Sequence, residues 1–286
     1  MRSLQEFSYE RAASYEDVDT FLRSHAADGH LLAGGTDLLV HMRSGRVSPR
    51  HVLDVNYVPG LDMVLETGDG SLRIGAAVRL TTIVNHKAVR TRCRALADGA
   101  ETVGSAQIQN MGTLVGGVCN ASPAADTAPA LLVHEAVMNV RGYARRRRVS
   151  ADEFFIGPGL TQLGPHEWVE SIDIPPPQGG SRYVKLGRTT GVDIAIVGAA
   201  VAFSSQGVRV GLASVAPTPL RARRTETAMS MSSDELDWAA VEVAVAQEIS
   251  PLSDVRASSE YRTAMVSECI RRAYAGAIEQ TGVGSK

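Results

Sequence analysis

Cysteine is scarce in this chain. Three cysteines, Cys93, Cys119 and Cys269, lie far apart among 286 residues. An odd, dispersed set builds no disulfide framework and suits a reducing compartment. An iron–sulfur cluster normally takes about four thiolates, so this chain alone is not expected to hold one. The seven histidines are scattered. There is no His-Glu-x-x-His or Cys-x-x-Cys spacing, so the pattern shows no metal site. No apolar run is long enough to span a membrane. The start, MRSLQEFSYE, lacks a basic segment followed by an apolar one, so no signal peptide is expected and the cytoplasm is the expected location. A net charge of -2 offers no basic face to nucleic acid.

What is present is a soluble, globular composition over a length that suits two or three domains. YEDVDTFLRSH, residues 15–25, reads as an amphipathic helix with Val18, Phe21 and Leu22 inward. HLLAGGTDLLVHM, residues 30–42, reads as strand, tight turn, helix. HVLDVNYVPGL reads as a strand and a loop. SLRIGAAVRLTTIVNH reads as a strand with Leu72 and Ile74, then a helix that Thr81 or Thr82 caps. RCRALADGAETV is a helix, and AVMNVRGYARRRRVSADEFF is two strands around a turn near Gly142 with a short element after them. EWVESIDIPPPQGG is a strand running into a Pro/Gly linker, and a domain boundary is expected at about residue 177. Beyond it, residues 183–217 read as three strands with a hairpin turn near Gln206-Gly207, ended by Pro217 and Pro219. DELDWAAVEVAVAQEI and the segment after Ser258 read as helices, which makes this part an α+β module.

Two glycine-rich turns carry the chemistry. Helix N-termini present unpaired N–H groups and a partial positive charge. A phosphate sits there without lysine when the backbone can approach it, and glycine permits that approach. Gly34-Gly35-Thr36-Asp37 meets the requirement, although a plain structural turn with Thr36 as helix cap is the bland alternative. The second turn, Gly112-Thr113 before Gly116-Gly117, shifts the balance. After it, Ser122 is a good cap and Pro123 suits a first helical position. Two such turns suit a ligand with two phosphates. Neither is Gly-x-x-x-x-Gly-Lys-Ser/Thr nor Gly-x-Gly-x-x-Gly, so nucleoside-triphosphate loops and nicotinamide folds are not expected. A flavin dinucleotide remains.

AGGTDLL, QNMGTLVGGVCNASPAAD, DEFFIGPG, YVKLGRTTGVDIA, APTPLRA and PLSDVRASSEYR follow one another as in a single family. The chain resembles, over nearly its whole length, the FAD-binding (medium) subunit of molybdenum hydroxylases of the xanthine dehydrogenase and carbon monoxide dehydrogenase type. The resemblance implies an α+β chain. Its FAD-binding domain, of the vanillyl-alcohol-oxidase-like (PCMH) type, would occupy residues 1–177 as two α/β subdomains, about 1–56 and 57–177. A C-terminal α+β domain with an antiparallel sheet and helices would follow at 178–286. It further implies that Ala33, Gly34, Gly35, Thr36 and Asp37, with Thr113, Gly116 and Gly117, cradle the FAD pyrophosphate, flanked by Leu32, Leu38, Ile108 and Gly112. Asn120, Ser122 and Asp126 would border the flavin, with Asp126 near the ribityl hydroxyls. The bland reading of these three is a capped, acidic helix start. Where the family reads Gly-Thr-Ile-Gly-Gly-Asn, this chain reads GTLVGGVCN. Val115 then takes a glycine's place, and a β-branched residue resists unusual dihedrals, so Gly116 is the better backbone contact. Lys185 and Arg188 match a Lys-x-x-Arg segment. A cation at Lys185 would stabilise reduced flavin and raise its potential. The bland alternative there is an exposed strand residue. Asp193 would pair with Lys185 or Arg188. Ile172 and Ile174 fit either the flavin's side or ordinary strand core.

The resemblance therefore implies an electron-transfer flavoprotein without a catalytic constellation of its own. Electrons would come from two [2Fe–2S] clusters of a small subunit and go to NAD⁺, dioxygen or a quinone. A large subunit with the molybdenum cofactor would hydroxylate the substrate, an aromatic N-heterocycle of purine or pyridine type, in a dimer of heterotrimers. A self-sufficient flavin oxidoreductase, a non-catalytic FAD-binding assembly protein and a cofactor-free interaction module are the alternatives. The run Arg145–Arg148 reads as the solvated face of a hairpin strand, or as a contact for an acidic partner.

Overall fold

The computed structural model describes residues 4–189, 191–230 and 236–281. Residues 1–3 of MRSLQEFSYE, Thr190 of the YVKLGRTTGVDIA segment, and 234–235 at the head of DELDWAAVEVAVAQEI lie outside them. The first helix, α1 (Tyr15–Ser24), starts on a reciprocal cap. Ser14 Oγ accepts from Asp17 N at 3.1 Å, and the Asp17 carboxylate accepts from Ser14 N at 3.0 Å. Val18, Phe21 and Leu22 face inward, as their spacing predicts. Around this helix β1 (Ser8–Arg11), β2 (Gly29–Leu32) and β3 (His51–Asp54) form a parallel sheet in the order β1–β3–β2. The helix α2 (Leu38–Ser44) connects β2 to β3. Gly45, left-handed at φ 76°, ends it.

The next unit is a five-stranded antiparallel sheet. Its strands are β4 (Val64–Glu66), β5 (Leu72–Gly75), β6 (Val137–Gly142), β7 (Arg145–Ser150) and, after the small hairpin β8 (Phe155–Gly157) and β9 (Leu160–Thr161), β10 (Glu167–Ile174). The order is β4–β5–β10–β6–β7, so β7 is an edge. Between β5 and β6 the chain forms α3 (Leu80–Asn85), α4 (Lys87–Arg92), α5 (Arg94–Glu101), α6 (Ala106–Met111), α7 (Leu114–Asn120) and α8 (Ala128–Val133). The short α9 (Ala151–Phe154) follows β7. Two expected caps differ from the observed ones. The residue before α3 is Arg79, without a side-chain cap, and Thr81 instead donates to Asn110 Oδ1. Ser122 opens a turn, accepting from Ala124 N, and the next helix waits until Ala128, with Pro129 in its first turn.

The last sheet is antiparallel, β11 (Ser181–Leu186), β12 (Val197–Ser204), β13 (Gly207–Ala213) and β14 (Leu220–Arg221), in that order. The helices α10 (Arg223–Ser230), α11 (Trp238–Ala246) and α12 (Ser259–Thr281) complete it. Strand β12 is apolar on both faces for a reason. Val197, Ala199 and Val201 join the core under α12, whereas Ala200 and Ala202 join the core containing α5 and α8. The sheet is thus clasped between its own helices and those of the preceding unit.

Of the arginine run on β7, Arg145, Arg146 and Arg148 are exposed, as a solvated face requires. Arg147 is not, because Glu167 grips its guanidinium through bonds of 2.9 and 2.7 Å. A second arginine joins the first two sheets. Arg141 on β6 donates to Asp19 of α1 at 2.8 Å, and Trp168 Nε1 donates to the same carboxylate at 3.1 Å. Both Asp19 and Arg141 are buried. Asp19→Ala removes the carboxylate from a buried cation and an indole N–H, and is expected to cost about 3 kcal/mol of stability in chemical denaturation. A loss under about 1 kcal/mol would show that the link is ornamental.

Candidate functional site

A cavity of ≈ 480 Å³ opens at the carboxyl end of β2, where parallel α/β units commonly receive ligands. One wall is the turn Ala33–Asp37, continued by Leu38 and His41 of α2. The opposite wall is Gly112, Thr113, Val115, Gly116, Gly117, Cys119 and Asn120. The floor is apolar, with Leu22, Leu31, Val55, Leu163, Trp168 and Val169. Ile108, Val103 and Leu80 close one side. No Lys or Arg of the described residues lines it.

The two glycine turns touch main chain to main chain. A Cβ on Gly34 would lie 2.2 Å from Met111 O and 2.7 Å from Gly112 Cα. Only glycine allows that approach. Gly35 has φ 70°, the left-handed region. Its neighbour Leu32 backs the turn from beneath, a side chain behind the cradle and not in it. Asn56 fixes the turn from the other side. Its Nδ2 donates to Ala33 O at 2.9 Å and to Asp54 Oδ1 at 2.6 Å. The second turn is tied to residues 78–80 by Leu80 N to Gly112 O at 2.9 Å and Leu114 N to Val78 O at 3.2 Å.

This packing leaves donors over. Among the described residues, no group accepts a hydrogen bond from the N–H of Gly34, Gly35, Thr36, Asp37 or Leu38. Thr36 does not cap α2. The cap position is Asp37, without a side-chain bond. In the second turn the glycine N–H groups, expected as cofactor contacts, have partners within the turn. The N–H of Gly116 goes to Thr113 Oγ1 at 3.0 Å, and that of Gly117 to Thr113 O at 3.1 Å. Val115 has ordinary helical backbone, so its branching causes no strain, and its own N–H has no partner among the described residues. Gly117 serves by what it lacks, since a Cβ there would meet nothing within 4 Å and would stand in open space.

Twelve residues singled out from sequence thus meet at the cavity: Ala33, Gly34, Gly35, Thr36, Asp37, Leu38, Ile108, Gly112, Thr113, Gly116, Gly117 and Asn120. Besides Leu32, four others lie elsewhere. Ile172 is fully buried on β10 between Ile74 and Met138, and it is core, as is Ile174. Ser122 sits in its turn. Asp126 and Lys185 face each other at 2.8 Å. Lys185 Nζ also donates to Thr102 O at 2.9 Å, and Tyr183 OH donates to Asp126 at 2.7 Å. Burial pushes the Asp126 carboxyl up, against the opposing pull of Lys185. Lys185 is therefore not an exposed strand residue. It stands behind the wall at Val103, its charge balanced. Asp193 pairs with Arg188, through a bond from Arg188 N at 2.6 Å, and not with Lys185.

The sequence reading missed His30, His41 and Glu167 on the wall. His41 lies four residues after Asp37 on one helix face, a signal that was available. Burial pushes Asp37 up while His41 pulls it down. The Nδ1 atom of His30 has no hydrogen-bond partner among the described residues, and burial lowers its pKa. Arg147 holds the Glu167 carboxyl down at about 2, so it stays ionised. Burial pushes the Cys119 and Cys93 thiols up to about 12 and Cys269 to about 11, which favours the protonated form of each.

The Lys185–Asp126 pair makes a direct prediction. Lys185→Met leaves a buried carboxylate without its cation and is expected to cost about 3 kcal/mol in denaturant unfolding. Lys185→Met with Asp126→Asn is expected to recover most of that loss. Equal losses in single and double variants would show that the two do not act as a unit.

With this geometry in place, the comparisons are specific. Residues 5–177 match the family described as FAD binding domain in molybdopterin dehydrogenase, and residues 182–277 match the CO dehydrogenase flavoprotein C-terminal domain. The nicotine 6-hydroxylase medium subunit of Paenarthrobacter nicotinovorans is 33% identical over 92% of this chain and 94% of its own. The xanthine dehydrogenase FAD-binding subunit of Escherichia coli O157:H7 is 29% identical over 96% and 97%. A solved carbon monoxide dehydrogenase of Hydrogenophaga pseudoflava superposes with a TM-score of 0.91 at 31% identity, covering 98% of this chain and 100% of that one. The chain belongs to the FAD-binding family of the molybdopterin dehydrogenases, with its CO dehydrogenase flavoprotein C-terminal domain.

Proposed function

We propose that this chain is the FAD-carrying electron-transfer subunit of a heteromeric molybdenum-dependent oxidoreductase. One observation carries the reading. A run of main-chain N–H groups, Gly34–Leu38, unpaired among the described residues, edges a cavity whose described lining holds no Lys or Arg. That donor set fits a pyrophosphate held without lysine. Bound FAD supplies reversible uptake and release of electrons, singly or in pairs. The chain's own residues do the rest. Gly34 and Gly35 let the backbone close on the phosphates. Asn56 and Thr113 hold the two turns in place. Trp168, Val169 and Leu163 exclude water beneath.

The division of labour we infer runs at about residue 177, with 1–56 and 57–177 forming the two walls and 178–286 bracing them through Lys185 and Tyr183. The matched families end at 177 and resume at 182, which supports it. For partners we infer a large subunit with the molybdenum cofactor and a small one with two [2Fe–2S] clusters, as a dimer of heterotrimers. The relatives' names as medium or FAD-binding subunits support a multi-subunit assembly. An aromatic N-heterocycle is the substrate class we infer for the whole complex, in line with the nicotine and xanthine relatives. Among the described residues no helix is long and apolar enough to cross a membrane. We infer a cytoplasmic complex, in keeping with three free cysteines.

Native mass spectrometry of the complex from its source is expected to show this chain with FAD and two further chains. A flavin-free monomer would overturn the reading. Gly117→Leu is expected to leave the fold intact, because its Cβ meets nothing, yet to fill the cavity and lower flavin content by about tenfold or more, each tenfold being about 1.4 kcal/mol. Full flavin content in a folded Gly117→Leu protein would place the cofactor elsewhere.

A further inference from the structure

At the opposite end of β2 from the cradle, three metal-binding side chains converge that no sequence motif joins. His25 and Asp28 lie in the corner between α1 and β2, and His51 begins β3. One ligand atom from each lies within 4.8 Å of the others, and all three residues are half-exposed. The two imidazole rings lie with centroids 4.0 Å apart, tilted by 35°. We propose that His25, Asp28 and His51 form a surface site for one divalent transition-metal ion of zinc type.

Three features support this. First, the donors are free. Among the described residues, the Asp28 carboxylate has no cation or hydrogen-bond partner, and the His25 ring nitrogens have no hydrogen-bond partner. Second, one nitrogen of the His51 ring has an outer partner. Its Nδ1 lies 2.8 Å from Ser8 Oγ, which itself reaches Arg50 O at 3.5 Å. With the hydroxyl proton directed to that carbonyl, Ser8 Oγ accepts from Nδ1–H and leaves Nε2 with its lone pair. An outer hydrogen bond of this kind fixes the tautomer of ligating histidines. Third, the backbone beneath is pinned. Asp28 O accepts from Arg50 N at 2.9 Å and His51 N at 3.3 Å, and Gly29 N donates to His25 O at 2.6 Å.

Two imidazoles and one carboxylate suit zinc, cobalt or nickel over calcium or magnesium. Bonds of about 2.0–2.1 Å at tetrahedral angles place ligand atoms about 3.4 Å apart. The half-exposed side chains therefore close by an ångström or so, and water takes the fourth position. An ion there ties the α1–β2 corner to the head of β3. Gly29 and Leu32 bound β2, so the site lies about 10 Å from the cradle, and its occupancy is separable from that of flavin.

The test is isothermal titration of the full-length, chelator-treated chain with Zn²⁺, with Mg²⁺ as control. One Zn²⁺ per chain is expected, no Mg²⁺, and a rise in melting temperature with added zinc. His51→Ala and Asp28→Asn are expected to abolish the zinc heat. Ser8→Ala, at an exposed position outside the ligand set, is expected to weaken it by about tenfold. Flavin absorbance is expected to stay unchanged in all of them. Absence of zinc binding by the native chain would overturn the proposal. So would unchanged binding in a folded Ser8→Ala and His51→Ala pair.

Discussion

Everything at the cavity end of this protein depends on two stretches of main chain lying against each other. Gly34 sits so close to Met111 O and Gly112 Cα that no side chain fits between. The contact draws the parallel three-stranded sheet and the helix-rich second unit together across a cavity. It also holds the first turn in a shape whose N–H groups find no partner among the described residues. These donors belong to half-exposed or exposed residues on an open cavity, where an anion can accept from them. An arginine or lysine would hold an anion with one flexible charge. Main-chain donors do it with fixed geometry and no net charge, and so leave the potential of a bound flavin to other groups.

The C-terminal unit contributes to the same site from behind. Strand β11 delivers Tyr183 and Lys185 to Asp126, in the segment that follows the second glycine turn. This couples the last sheet to the cofactor wall by charge, while β12, apolar on both faces, couples them by burial. The two halves of the chain are thus poorly separable. A cation whose charge is balanced by a carboxylate tunes a neighbouring cofactor less than a free one, so Lys185 acts first as a brace.

Much of the architecture was legible in the residues. The apolar stripe of α1, the strand–turn–helix around Gly34-Gly35 and the β12–β13 hairpin are local patterns, and each forms where its pattern lies. The strand β1 was not legible, because all four of its residues are exposed and show no alternation. The helix α10 begins with two arginines and shows no clear apolar run. At the site, the glycine turns announced themselves, whereas Val55 and Leu163 from loops and Trp168 from β10 arrive from distant segments and leave no local trace. The exchange of roles between Val115 and Gly116 was also hidden. It depends on which N–H the Thr113 hydroxyl takes, and that is a matter of cap geometry and not of residue size. Lys185 and Asp126 were singled out as cofactor contacts, and the structure pairs them with each other, which only tertiary structure reveals.

The central claim is that main-chain amides at the first turn hold the cofactor's phosphates. Hydrogen exchange at single-amide resolution, on the protein with FAD and after its removal, tests it most directly. The account predicts that the amides of Gly34 to Leu38 exchange much more slowly with FAD bound, and that those of Gly116 and Gly117, already bonded to Thr113, change less. Equal exchange across Gly34–Leu38 in the two states would contradict it.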